Sequence, residues 1–301
     1  MTRTKADLLV LFAALIWGVA FYFQKSAMSH IGPFLFLGLR SLLAAVALIP
    51  FALREWRTSP PSSPSIRPFA LLGGAVFFTA GALQQVGIVT ATVTNTSFLT
   101  ALYVVVTPFL LWLLRHEKPG PRIWLASCLA FIGIWALGGG AIEAFSTGDM
   151  LIAASSVAWS LYMVVTSASG KLAKPMQYTF IHFLVIAALA LSCAGYFEEI
   201  DGAAVMEAAV PLLYVGILSS AFTFALMANV VRHIPASRAA ILLSTEVLFG
   251  AAAGFIMLGE RLSPMGWAGA ALMFCAILMI QTASRRVREK PYDDERPNNA
   301  L

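Results

Sequence analysis

Residues 242–262 read LLSTEVLFGAAAGFIMLGERL. Up to Leu258 the stretch carries one charge, Glu246, and it then ends abruptly on Gly259-Glu260-Arg261. Within a bilayer the backbone polar groups of such a run must be satisfied inside the segment, which a helix does. The span predicted around it covers 236–258, and Glu246 stands about eleven residues in, near the bilayer centre. A carboxylate at that depth costs roughly 2.5–3.5 kcal/mol on insertion scales, so function is its default explanation. The competing explanation is a neutral structural carboxyl bonded to a neighbouring helix.

Working outward, similar apolar runs recur along the chain. Spans are predicted near 7–28, 33–54, 68–89, 93–114, 121–141, 149–169, 175–196, 209–231, 236–258 and 263–283. Of the 301 residues, 59% are hydrophobic and 12% are charged. A soluble domain carries about 25% charged residues, so the polar surface here is too small to coat a globule and lipid must cover the rest. The reading is an all-α integral membrane protein of ten transmembrane helices. The net charge of +5 does not point to nucleic acid, because the basic residues sit in short clusters between apolar runs. With the N-terminus inside, those clusters fall on one side: Arg3 and Lys5; Arg54, Arg57 and Arg67; Arg115, Lys118 and Arg122; Lys171 and Lys174; Arg232 and Arg238; and the tail from Arg285. The other side holds Lys25, Arg261 and the acids Glu143, Glu198, Glu199, Asp201 and Glu207. The positive-inside rule therefore predicts both termini in the cytoplasm and a multi-pass protein of the inner or plasma membrane. The polar tail, 284–301, is expected to be disordered.

The two halves resemble each other at a separation of about 142–143 residues. Asp7 and Trp17 answer to Asp149 and Trp159; Pro33 and Arg40 to Pro175 and His182; Glu117, Pro121 and Trp124 to Glu260, Pro264 and Trp267. Repeats over 1–141 and 149–283 would each hold five spans. Five is odd, so the second enters the membrane upside down. Inverted-topology repeats are the mark of transporters that bind substrate near the midplane and work by alternating access.

These residues carry a family resemblance. AALIWG at 13–18, Pro33 with Arg40, the opening stretch through Gly266 and Gly269, and the weaker copy Glu117-Lys118 with Trp124 resemble the ten-helix drug/metabolite transporter superfamily, in its branch of EamA-type exporters. The chain is also similar to the aromatic amino-acid exporter subgroup. The resemblance covers about residues 7–283 and implies a central cavity built from spans 1, 3, 4, 6, 8 and 9. It departs from the family where a proline is usual in the middle of spans 4 and 9: Val104 and Val247 stand there, with Pro108 further along span 4. Different helix bends, and a different cavity shape, are the expectation.

The candidate substrate-binding residues are Trp17, Gln84, Tyr103, Trp159, Tyr162, Met163, Ser244 and Glu246. Tyr103 is the counterpart of Glu246 at equal depth. Trp17 and Trp159 are placed mid-membrane, whereas tryptophan usually sits at the interfaces; they offer faces for an aromatic or cationic substrate, or simply packing. Tyr162 and Met163 follow Trp159 along the same wall. Gln84 and Ser244 are polar within spans, where bonding another helix is the common alternative. Arg40, Glu117, His182, Asn229 and Glu260 are read as gating or structural residues, with Arg40 long enough to snorkel toward a membrane face. The Gly266-x-x-Gly269 spacing is compatible with close packing or a homodimer.

No cofactor is expected. Cys128, Cys193 and Cys275 are odd in number and lie in apolar runs, and the four histidines form no metal-ligand spacing. The leading function is a secondary transporter exporting small metabolites, most of all amino acids with apolar or aromatic side chains. It would use no P-loop, and proton coupling through Glu246 stays open. Cationic drugs or nucleosides are the alternative cargo. An organic phosphate or nucleotide-sugar carrier on the same fold ranks below, since such anions call for cavity Lys or Arg. An intramembrane enzyme would need a catalytic constellation that a single mid-membrane acid does not supply, and nothing resembles a channel filter.

Overall fold

The computed structural model describes residues 3–60, 65–116, 118–137, 145–169, 172, 174–230 and 242–288. Helices and short turns account for them, with no strand among the described residues. The helices are α1 Arg3–Ala27, α2 Pro33–Thr58, α3 Arg67–Ile88, α4 Val93–Thr100, α5 Tyr103–Arg115, α6 Pro121–Leu137, α7 Thr147–Ser169, α8 Pro175–Phe197, α9 Gly202–Glu207, α10 Ala209–Leu213, a π-helical segment Tyr214–Phe222, α11 Thr223–Val230, α12 Glu246–Leu258 and α13 Pro264–Arg288. Among the described residues seven helices are long and apolar enough to cross a membrane, the α4–α5 run counted as one and the run through the π segment as another. Three shorter apolar helices accompany them. Proline opens α2, α6, α8 and α13, where its missing N–H has no helical partner to lose.

The outside of this bundle is apolar. Leu113, Phe131 and Ile256 are each more than 70% exposed, which suits contact with lipid and not water. The inside is built from small residues and a few large rings. α6 and α13 cross at Gly133 and Gly269, where a Cβ on either glycine would meet the other's backbone. Gly269 is thus used within the chain, so the Gly266-x-x-Gly269 spacing gives no separate support for a dimer.

α2 and α8 form an antiparallel pair packed through Leu37, Ala44, Ala45 and Leu48 against Phe183, Ile186 and Ala190. Each helix end caps the other. The Glu198 carboxylate, just past α8, accepts from the Phe34 and Leu35 N–H groups at 2.8 Å each. The Glu55 carboxylate, near the end of α2, accepts from Gln177 N–H at 2.8 Å and Met176 N–H at 3.3 Å. The first N–H groups of a helix have no partner within it and carry the positive end of its dipole, so an acid in apolar surroundings is well used there.

Several sequence expectations are revised. The span predicted over 93–114 is two helices broken at Ala101-Leu102, although no proline stands at the break. The span over 209–231 carries π winding in its middle, and the short α9 lies before it. α2 runs on to Thr58. α13 continues to Arg288 where a disordered tail was expected from 284; charge ends an apolar run without ending a helix, because arginine has good helix propensity. Glu117 and residues 231–241 lie outside the described residues.

Replacing Glu198 or Glu55 with alanine leaves two helix-end N–H groups bare and is expected to cost roughly 1–3 kcal/mol. Denaturant unfolding of the detergent-purified protein measures it. Unchanged stability in both variants would mean that water serves these ends equally well.

Candidate functional site

Two helix starts and two crossing points define the centre of the bundle. α5 begins at Tyr103 after the Ala101-Leu102 turn, and α12 begins at Glu246 after the Ser244-Thr245 turn. These starts are counterparts at the repeat spacing, and so are their ends: His116 and Gly259 are both left-handed, at φ 57° and 68°.

A second helix crosses each start. α1 meets α12 at Gly18, where a Cβ would fall 2.6 Å from the Glu246 carbonyl oxygen and 2.8 Å from the Gly250 nitrogen. Nothing larger than glycine allows that approach. α7 meets α5 at Ser160, whose hydroxyl donates to the Tyr103 carbonyl at 2.8 Å and lies 3.1 Å from Thr107 Oγ1. Ser160 and Thr107 are the counterparts of Gly18 and Gly250. The same crossing is therefore made by two glycines in one half and by a hydroxyl pair in the other.

The two tryptophans sit directly beside these crossings. The Trp17 indole N–H donates to the Ser219 carbonyl at 2.9 Å, and its ring meets Phe224 edge-on at 5.8 Å. The Trp159 indole N–H donates to Gln84 Oε1 at 2.8 Å, and its ring meets Phe77 at 4.7 Å. Both indole N–H groups are thus satisfied by the protein, which leaves ring surface as what they offer a ligand. Gln84 continues to Gln24, whose side-chain and main-chain oxygens accept from Gln84 and Gln85 at 3.4 Å.

Glu246 is partly exposed, within electrostatic reach of the Tyr103 phenol, and its carboxylate has no hydrogen-bond partner among the described residues. Ser244 is buried at the break preceding it. Tyr103, Ser244 and Glu246 thus stand at the two helix starts, Trp17 and Trp159 are next in sequence to the crossing residues, and Gln84 is bonded to the Trp159 indole. Tyr162 is fully buried and shares a ring cluster with Trp159, 5.9 Å from the Trp159 ring, 5.1 Å from Phe77 and 5.9 Å from His182. Met163 is exposed. His182 is fully buried with Nδ1 3.3 Å from the Tyr178 carbonyl. Arg40 is buried under Phe36 and the π segment and does not snorkel. The Asn229 side chain and Glu117 lie outside the described residues.

Sequence reading missed a set of closures at one end of the bundle. Lys25 donates from Nζ to the carbonyls of Ile88, Val89 and Ala91 at 2.8, 2.8 and 3.0 Å, gripping the C-terminal end of α3. Glu260 accepts from the N–H groups of Val93 and Thr94 at 2.7 and 2.9 Å and from the Thr94 hydroxyl at 2.7 Å. Asp149 accepts from Asn95 Nδ2 at 3.0 Å. One signal was available: Lys25 is a basic residue on the side where basic residues are otherwise scarce.

A model of the EamA-like transporter family matches the chain twice, over residues 4–139 and 146–282. A protein of Archaeoglobus fulgidus described as an uncharacterized transporter is 27% identical over 283 residues, covering 92% of this chain and 86% of its own. The uncharacterized transporter YwfM of Bacillus subtilis is 26% identical, covering 93% and 95%. A solved crystal structure superposes with a TM-score of 0.63 at 17% identity over 95% of this chain and 99% of the other, a likeness of fold.

Gly18→Val is expected to push α1 off α12 and destabilise by roughly 1–3 kcal/mol. Ser160→Ala leaves the Tyr103 carbonyl still bonded to Thr107 and is expected to cost no more than about 1 kcal/mol. Thermal unfolding of the two purified variants compares them, and equal losses would contradict the asymmetry of the crossings.

Proposed function

Because the chain belongs to the EamA-like transporter family, whose members are multi-pass membrane proteins, we propose that it is a secondary exporter of amino acids with apolar or aromatic side chains. It works by alternating access, as two inverted five-span repeats over 1–141 and 149–283, with both termini in the cytoplasm and the spans in the cell's inner membrane. The observation that carries the cargo class is that Glu246, within electrostatic reach of Tyr103, begins one of two broken helices whose crossings lie next in sequence to Trp17 and Trp159.

A carboxylate without a hydrogen-bond partner among the described residues suits an ammonium group, and the two indoles, their N–H groups already used, suit an apolar or aromatic body. The helix breaks also free backbone groups at the same level, as discontinuous helices do in other carriers. Glu246 accepts the substrate amine, or releases a proton in its place. Tyr103, across from it, limits the width of the path. The Lys25, Glu260 and Asp149 closures sit at the end assigned to the outside, so the described state is the outward-closed one; export requires them to part.

A second reading shares the site: a cationic drug or nucleoside also fits an acid among aromatic rings. Cargo with two or more negative charges is disfavoured beside Glu246.

Uptake of labelled phenylalanine and other amino acids into liposomes holding the purified protein, with and without a pH gradient, tests the reading. Saturable uptake with counterflow is expected. Glu246→Gln is expected to lower it at least tenfold and to flatten its pH dependence. Flux of a cation with none of any amino acid would keep the carrier and discard the cargo; normal transport by Glu246→Gln would remove the charge from the mechanism.

A further inference from the structure

Arg40 is the second charge inside the bundle, and nothing above uses it. Its side chain is 7% exposed, with the guanidinium carbon 5.9 Å from the centroid of the Phe36 ring, itself fully buried. Nε is enclosed without a hydrogen-bond partner, and the guanidinium makes no ion pair or hydrogen bond with a described residue. An aromatic face offsets only part of the cost of burying a cation. A guanidinium keeps its proton under any ordinary condition, so it cannot escape the cost by neutralising.

The counterpart position behaves differently. His182, at the matching place in α8, is packed among the rings of Tyr178, Phe183 and Tyr162, and Nδ1 faces a carbonyl. Its Nε2, like Arg40 Nε, is enclosed without a hydrogen-bond partner, but an imidazole can shed its charge and a guanidinium cannot. Behind it, Gly74 of the regular helix α3 abuts the His182 carbonyl. Behind Arg40, Gly216 abuts the Arg40 carbonyl in the same way, but Gly216 belongs to the π-helical segment. Single stretches of π winding are rare and collect at functional positions.

The junction around Arg40 also reaches the proposed cargo path. Three residues beyond Gly216, the Ser219 carbonyl holds the Trp17 indole. The Tyr214 hydroxyl, from the start of the same segment, donates to the Ile16 carbonyl at 3.1 Å. α1, α2 and the π segment therefore meet with Trp17 and Arg40 against one stretch of backbone. The backbone of Arg40 and the indole of Trp17 are fixed to the same segment, and the Arg40 fork of N–H donors is buried over the Phe36 ring with no hydrogen bond or ion pair to a described acid.

We infer that Arg40 is an oxyanion-binding group, and that the junction of α1, α2 and the π segment takes a carboxylate or phosphate oxygen pair carried on an apolar body. The guanidinium fork binds two oxygens at once, and the body lies toward Trp17. Two sources supply such a group: the carboxylate of the exported solute, in which case the site deepens the transport reading and rests on it, or the headgroup of an anionic lipid.

The test uses the full chain in nanodiscs of phosphatidylcholine and two probes, 3-phenylpropionate, which has the carboxylate without the amine, and phenethylamine, which has the reverse. Calorimetric titration is expected to show phenylpropionate binding to the wild type, at least tenfold weaker binding to Arg40→Gln, and an intermediate loss in Arg40→Lys, which keeps the charge without the fork. Phenethylamine is expected to bind all three alike. Should Arg40→Gln not fold, the wild type against Arg40→Lys carries the comparison. Nanodiscs containing phosphatidylglycerol separate the sources: if that lipid blocks phenylpropionate and raises the unfolding midpoint of the wild type but not of the Arg40 variants, the oxyanion is a headgroup. Absence of both effects, or their equal presence in wild type and variants, overturns the site. Phenylpropionate binding through Arg40 without phenylalanine uptake would keep the site and discard the amino-acid cargo; uptake with no dependence on Arg40 would do the opposite.

Discussion

Helix ends govern this molecule. A bundle whose exterior is apolar cannot send the bare N–H and C=O groups of its helix termini to water wherever they fall. The chain meets that constraint with long-range side chains. Glu198 closes the start of α2 and Glu55 the start of α8. Glu260 closes the start of α4, and Lys25 closes the end of α3. Each bond is also a tie between segments far apart in sequence, so the chemistry that satisfies the backbone fixes which helices are neighbours. α2 and α8 are tied at both of their ends and form a unit. The Lys25 and Glu260 ties gather at one end of the bundle.

The middle of the bundle follows a different rule. Ends that are broken inside the bundle have no distant carboxylate to close them. Tyr103's carbonyl is met by two hydroxyls, Thr107 and Ser160. The equivalent carbonyl of Glu246 is met by nothing larger than Gly18. The half that begins with a neutral phenol is bonded across its crossing, and the half that begins with a carboxylate is only packed there. A packed glycine crossing holds helices by contact alone, which lets them slide more readily than a hydrogen-bonded one. The charge at the centre is thus placed on the start with the looser support.

Much of this was legible in the sequence, and the limit is physical. Apolar run length and the placement of arginines and lysines predicted the helices, because bilayer thickness and loop charge act on sequence directly. The shared spacing of Trp17 with Trp159 and of Tyr103 with Glu246 pairs positions that the fold uses alike, since Tyr103 and Glu246 each begin a helix after a break. What could not be read were partners. Glu198 looked like one of several acids in a loop, and Lys25 like a stray loop charge. A cap is a property of two segments, and a chain shows each alone. Tyr162 does neighbour Trp159, as three residues on a helix share a face, and both rings meet Phe77; Met163, one residue on, is exposed. The π winding of 214–222 has no composition signal at all; its counterpart over 72–80 is plain α-helix with equally apolar residues.

The differences between counterpart positions point to where function has been added to a shared scaffold. Proline starts, capping acids and left-handed helix ends recur in both halves, because both halves need them to fold. Glu246 against Tyr103, Arg40 against His182, and Gly18 against Ser160 do not recur. Each of these contrasts sets a charge or a bare backbone approach against a neutral or neutral-capable group. Folding alone gives no reason for that pattern, since a charge within the bundle without a partner among the described residues destabilises it. The two charges are of opposite sign, and both touch elements that α1 packs against: α12 through Gly18, the π segment through Trp17. α1 is therefore the helix whose movement alters the surroundings of both charges together, and a solute carrying both an amine and a carboxylate is the kind that would register it.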